Sequence, residues 1–189
     1  IGGFMQSNSQ NDTEPYIGKI LPQVEFMVTQ ETLNDYSRGL NLQYQKNLPV
    51  PSMVAGAADN FHKSTAFSQD RGHLWMRQEW QLFQPIKLNQ TYIANGKIID
   101  IYKKRDRTVV NTEMVLRNYE KKIVIKSNHH QSFLLDTPIK TVQFRDPTKK
   151  EGTRKFSIPD GTPISQLESN ITLEMCGEFF QGNKSYHTD

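Results

Sequence analysis

Hydrophobic and polar positions along the chain change period several times, and each change marks an element. Residues 1–15, IGGFMQSNSQNDTEP, have no apolar period and are rich in Gly, Asn, Ser and Gln, so a loose tail is expected there. A short extended stretch follows over 23–28. Thr29 then stands where an N-cap would, Glu31 falls in the first turn, and Leu33, Tyr36 and Leu40 recur at helical spacing; this predicts a helix over 30–42. Pro49, Pro51 and Ser52 reset the backbone. Behind them Met53, Val54, Ala55, Ala57, Ala58, Phe61, Ala66 and Phe67 predict a buried central helix from near Ser52, with any break falling near Gly56 or Asn60. Its small side chains let a sheet come close.

After Gly72 the period becomes two. Leu74, Met76, Gln78, Trp80 and Leu82 alternate with His73, Trp75, Arg77, Glu79, Gln81 and Phe83, a long strand that ends before Pro85. Three more long strands are predicted: 91–104 with Ile99 and Ile101, 108–117 with Val110, Thr112, Met114 and Leu116, and 122–135 with Ile123, Ile125, Phe133 and Leu135. Polar turns at 104–107 and 118–121 make them antiparallel hairpins, and their length implies a strongly curved sheet. From 137 to 160 the composition shifts to Lys, Asp, Pro, Thr and Gly, which reads as a linker.

A repeat extends this picture. GTPISQLESNITLEMCGEFFQG (161–182), laid under GKILPQVEFMVTQETLNDYSRG (18–39), matches Gly161 with Gly18, Gln166 with Gln23, Glu168 with Glu25, Thr172 with Thr29, Glu174 with Glu31 and Gly182 with Gly39. The offset of 143 residues is a small domain's length, so 161–189 is expected to open a second copy of the domain formed by 16–136.

Composition removes function classes more than it suggests one. Of the 189 residues, 23 are Lys or Arg and 20 are Asp or Glu, a net +3 that is too small and too scattered to argue for a nucleic-acid partner. No apolar run is long enough to span a membrane. The single cysteine, Cys176, excludes an intrachain disulfide and a cysteine-rich zinc site, and a cytoplasmic setting is expected.

A helix wrapped by a long curved antiparallel sheet is the hot-dog architecture, an α+β fold, and here particular residues carry a resemblance. GHLWMRQEWQLFQPIKL (72–88) is similar to the signature of the N-terminal hot-dog of MaoC-like dehydratases, and IANGKIIDIYKKRDRTVVNTEMVLRN to the strand pair after it. The ending GNKSYHTD resembles the start of the catalytic loop in the second hot-dog of two-domain members. The resemblance implies a hydratase or dehydratase acting on an acyl thioester of CoA or an acyl carrier protein, which is substrate and not cofactor. In that chemistry a carboxylate and an imidazole hold and deprotonate the water that adds to an enoyl double bond, while a backbone N–H at the start of the buried helix polarises the thioester carbonyl.

By that resemblance His187 is the candidate acid/base, but Gly182 occupies the position of the family's Asp, five residues before it. Asn183 and Asp189 are the nearest polar groups, and Asn183 is taken as the partner. Tyr44 falls under His187 in the first copy, consistent with a degenerate first half that houses the acyl chain. Asp59 and His62, three apart, are either an acid/base pair on one helix face or a helix-capping or solvent-facing pair. His73, Arg77 and Glu79, read on one strand face with Trp75 and Phe83, are either a rim against the substrate's thiol arm or a cross-strand ion pair. His129 and His130 are adjacent on a strand and so face opposite ways, which rules out a shared metal. Lys103, Lys104, Arg105 and Arg107 form a basic turn, solvated or in contact with CoA phosphates. Two alternatives stand beside a hydratase: a non-catalytic module binding acyl thioesters or a partner, and a thioesterase, which needs a carboxylate or Gln near the buried helix. Edge-to-edge pairing, as a homo-oligomer or a tandem pseudo-dimer, is expected in all three.

Overall fold

The computed structural model describes residues 14–39, 49, 51–54, 57–58, 60–136, 142–149 and 170–175. Its elements are β1 (Val24–Met27), α1 (Gln30–Gly39), a 3-10 turn (Pro51–Val54), the one-turn helix α2 (His62–Thr65), and four long strands: β2 (Asp70–Leu82), β3 (Thr91–Lys104), β4 (Arg107–Arg117) and β5 (Ile123–Leu135). These form one antiparallel sheet in the order β1-β3-β4-β5-β2. The strand predictions hold to within a few residues. The helix predicted over 30–42 is described as far as Gly39.

The segment expected as one buried helix is, in its described parts, the 3-10 turn, helical residues at Ala57 and Ala58, a turn at Asn60 and Phe61, and α2. Its burial is as expected: Val54, Ala57, Ala58 and Phe61 are sealed against the sheet. They meet an inner face made of Tyr92, Ala94, Ile98 and Ile101 on β3, Val110, Met114 and Leu116 on β4, and Ile125 and Phe133 on β5. Gly96 lies at the closest approach: a Cβ there would stand 3.0 Å from Leu21 and 3.1 Å from the Phe61 ring.

Two β-bulges correct the alternation read from the sequence. One lies between Ile98 and Asp100, so Ile98, not Ile99, shares the core face with Ile101. The other lies between Trp75 and Arg77. Each extra residue shifts the phase of everything after it. At the start of β2, Arg107 of the basic turn is not left to solvent: its guanidinium donates to the Ser132 hydroxyl and carbonyl and to the carbonyl of Gly72.

The two sides of the sheet end differently. On the β1 side, short β1 covers residues 91–94 of β3, Ile20 bridges Lys97, and the Arg145 N–H donates to the Ile101 carbonyl. Residues 142–149, inside the stretch expected as a linker, therefore lie along β3; Arg145 stacks on the Tyr102 ring and bonds Asp100 at 2.7 Å. On the other side β2 is the last strand, with Leu82 and Phe83 more than half exposed.

Candidate functional site

The inner face does not stay apolar. Between β5 and β2 it carries Ser127, His129 and Gln131 on one strand and His73, Trp75 and Gln78 on the other. Register puts Trp75 opposite Gln131 and Gln78 opposite His129. The short helix α2 supplies His62 and Thr65 from above, because Phe61 anchors its first turn in the core while Thr65 is buried facing the sheet.

These groups hold one another. The Gln131 side-chain amide donates to His62 Nδ1 at 2.8 Å, and the Thr65 hydroxyl reaches the His62 carbonyl at 3.0 Å and Gln131 Oε1 at 3.4 Å. The rings of His62 and His73 lie 4.2 Å apart, and those of Trp75 and His129 also 4.2 Å apart. His129 is only 6% exposed, and its Nε2 has no hydrogen-bond partner among the described residues. Burial, reinforced by its histidine neighbours, pushes the His129 pKa down to about 4, and burial likewise lowers that of His73. Both imidazoles are therefore neutral near pH 7. Buried polar groups are normally satisfied, so an open nitrogen on an otherwise dry face marks a place for a ligand atom or water.

Set against the sequence, the structure joins His62 to His73 and separates His73 from the other two members of its predicted trio. Past the bulge, Arg77 and Glu79 lie on the outer face, where they form an ion pair at 2.7 Å. There Arg77 reaches His130 Nε2 at 3.2 Å, and His130 Nδ1 meets the Tyr102 hydroxyl at 3.0 Å. The ion pair of Arg77 and Glu79 therefore lies within β2 and is not the expected cross-strand pair, and both residues stand on the face opposite His73. His129 and His130 do face opposite ways, and no cluster of metal-ligating side chains occurs among the described residues. Asp59, Gly182, Asn183 and His187 lie outside the described residues. The sequence reading missed His129 and Gln131 as site residues. Their signal was there, since they sit in phase with Ile125 and Phe133, the core-facing positions of β5.

No described helix is long and apolar enough to cross a membrane. No family model and no curated protein matches the chain. Solved structures do. A monoamine oxidase regulatory protein from Archaeoglobus fulgius superposes with a TM-score of 0.52 at 11% identity, over 66% of this chain and 93% of that one. The C-terminally truncated HadBC (3R-hydroxyacyl-ACP dehydratase) complex from Mycobacterium tuberculosis gives 0.51 at 15% identity, over 64% and 98%. At such identities the likeness is one of fold, and the fold is the hot-dog.

Proposed function

We propose that the chain is a MaoC-like tandem hot-dog protein that reversibly adds water to an enoyl thioester of CoA or an acyl carrier protein. Residues 16–136 are its first hot-dog and 161–189 open the second. His187 acts as general acid/base with Asn183 as its partner: water gives its oxygen to the β carbon, and a proton goes to the α carbon as the double bond is consumed. The observation that carries this reading is the polar strip of the inner face between β5 and β2, whose hydrogen-bonding side chains suit a thioester's polar arm.

A repeated cap supports the tandem arrangement. Thr29 Oγ1 accepts the backbone N–H of Thr32 at 3.1 Å, and Thr172 Oγ1 accepts that of Met175 at 3.2 Å. The two caps are 143 residues apart, the offset of the sequence repeat. Pairing along β2, with a second hot-dog or a second copy, belongs to the same proposal, as does a cytoplasmic setting.

The test is hydration of crotonyl-CoA, with loss of the enoyl absorbance as readout. His187→Ala is expected to lower the rate about 10²–10⁴-fold, the usual contribution of a positioned acid/base. A wild type inactive on short and medium enoyl thioesters defeats the reading. A thioesterase is the second reading, favoured by the side chain of Gln131 against α2; release of free thiol from butyryl-CoA would select it.

A further inference from the structure

Residues 142–149 do more than cover the end of β3, because a cavity lies between the two. It measures about 560 Å³, within the range of small-molecule sites, and is lined by Tyr102 and Lys103 of β3 and by Phe144, Arg145, Asp146 and Pro147. Two cation–π contacts join its sides in opposite directions. The Arg145 guanidinium lies 4.4 Å from the centre of the Tyr102 ring, and the Lys103 ammonium lies 4.9 Å from that of Phe144. The frame is set before any ligand arrives: the Arg145 N–H donates to the Ile101 carbonyl, and the Tyr102 hydroxyl meets His130 Nδ1 at 3.0 Å. The charges in the lining are not equally engaged. Asp100 binds the Arg145 guanidinium at 2.7 Å, and Asp146 Oδ1 accepts from the Thr148 N–H at 2.9 Å and from its hydroxyl at 2.7 Å. Lys103 has no carboxylate partner among the described residues, and its ammonium meets only the Phe144 ring.

We propose that this cavity is a binding site for a small aromatic acid, whose ring lies against Tyr102, Phe144 and Pro147 and whose carboxylate accepts hydrogen bonds from the Lys103 ammonium. An aromatic ring brings both buried area and stacking to aromatic walls, and a carboxylate supplies the opposite charge that Lys103 lacks. A cationic ligand would face Lys103 and Arg145 together and is disfavoured. Phe144 is 37% exposed, so its ring is open to such a ligand, and the held frame leaves little to be ordered on binding. The site lies across β4 from the polar strip and does not depend on the acyl-thioester reading.

Titration of the full chain, followed by backbone amide NMR, tests it with 2-naphthoate as the probe. 2-Naphthamide keeps the ring without the charge, and acetate keeps the charge without the ring. Naphthoate should shift the signals of residues 101–103 and 144–146 saturably, and its affinity should exceed that of the naphthamide about tenfold, the scale of one charge-assisted hydrogen bond. Added salt should narrow that gap, since Lys103 is exposed. Acetate should give no saturable shift. Lys103→Gln should bring naphthoate down to the affinity of the naphthamide and leave the naphthamide unchanged, whereas Phe144→Ala should weaken both. Shifts confined to other residues, equal affinities for naphthoate and naphthamide, or undiminished naphthoate binding by Lys103→Gln would each overturn the proposal. The wild-type comparison of the two naphthalenes stands whether or not the variants fold, and whether or not the chain hydrates crotonyl-CoA.

Discussion

One curved sheet presents two different inner faces. Along β3 and β4 it shows Tyr92, Ala94, Ile98, Val110, Met114 and Leu116, all sealed from solvent in one cluster with Val54, Ala57, Ala58 and Phe61. Along β5 and β2 the same face shows His129, Gln131, Gln78 and His73. Hydrophobic burial stabilises the first half, whereas the second keeps polar groups in a dry setting, which opposes folding unless each finds a partner. Stability is concentrated at one end of the sheet, and the groups able to do chemistry are gathered at the other, beside the edge where a partner would join.

The contrast can be broken hardest from the apolar half. Met114→Ala should lower the free energy of unfolding by about 2–5 kcal/mol, read by urea denaturation, because it leaves a cavity where nothing can collapse. A loss below about 1 kcal/mol would mean that this half is not the stabilising one. Acid probes the other half. His129 has a folded pKa of about 4 against 6.5 in the unfolded chain, so between those values the unfolded state takes up a proton that the native state refuses. Stability is then intact above pH 6.5, falls as the pH drops toward 4, and falls no further from this group below that. The loss should approach roughly 3 kcal/mol, and the lowered pKa of His73 adds to it with the same sign. His129→Leu should flatten this slope in thermal melts taken from pH 7 to 4; an unchanged slope would place the acid sensitivity elsewhere. The smallest effect on stability is expected at the edge. Leu82→Lys, at a position 55% exposed, should shift unfolding by less than about 0.5 kcal/mol and still lower the mass seen by light scattering, if β2 is where copies meet.

Much of the fold was legible because its signals are local. The alternation in YIANGKIIDIYKK and TVVNTEMVLR marks β3 and β4 almost to the residue, and Thr29 announces α1. Both errors of phase have one cause. A bulge needs no glycine and leaves no mark in composition, so the reading ran the alternation of β2 straight through Met76 and placed Arg77 and Glu79 beside His73. It did the same on β3 and chose Ile99 over Ile98. The run of contacts from Thr65 through Gln131 to His62 was hidden for another reason. It joins positions 66 and 69 residues apart, and only the pairing order of the strands, with β2 placed outside β5, brings α2 over Gln131. Periodicity reports which way a side chain faces and is silent about what it faces.

The unequal ends of the sheet set where a further strand could add. A free edge is a template only as long as its row of unpaired backbone groups. Here β3 is covered in instalments by β1, Ile20 and the Arg145 segment, and at the other end stands β2. In the language of templates the two ends are of unequal length: among the described residues, the terminal strand β1 offers 4 residues and β2 offers 13, so the long template for strand addition lies at β2.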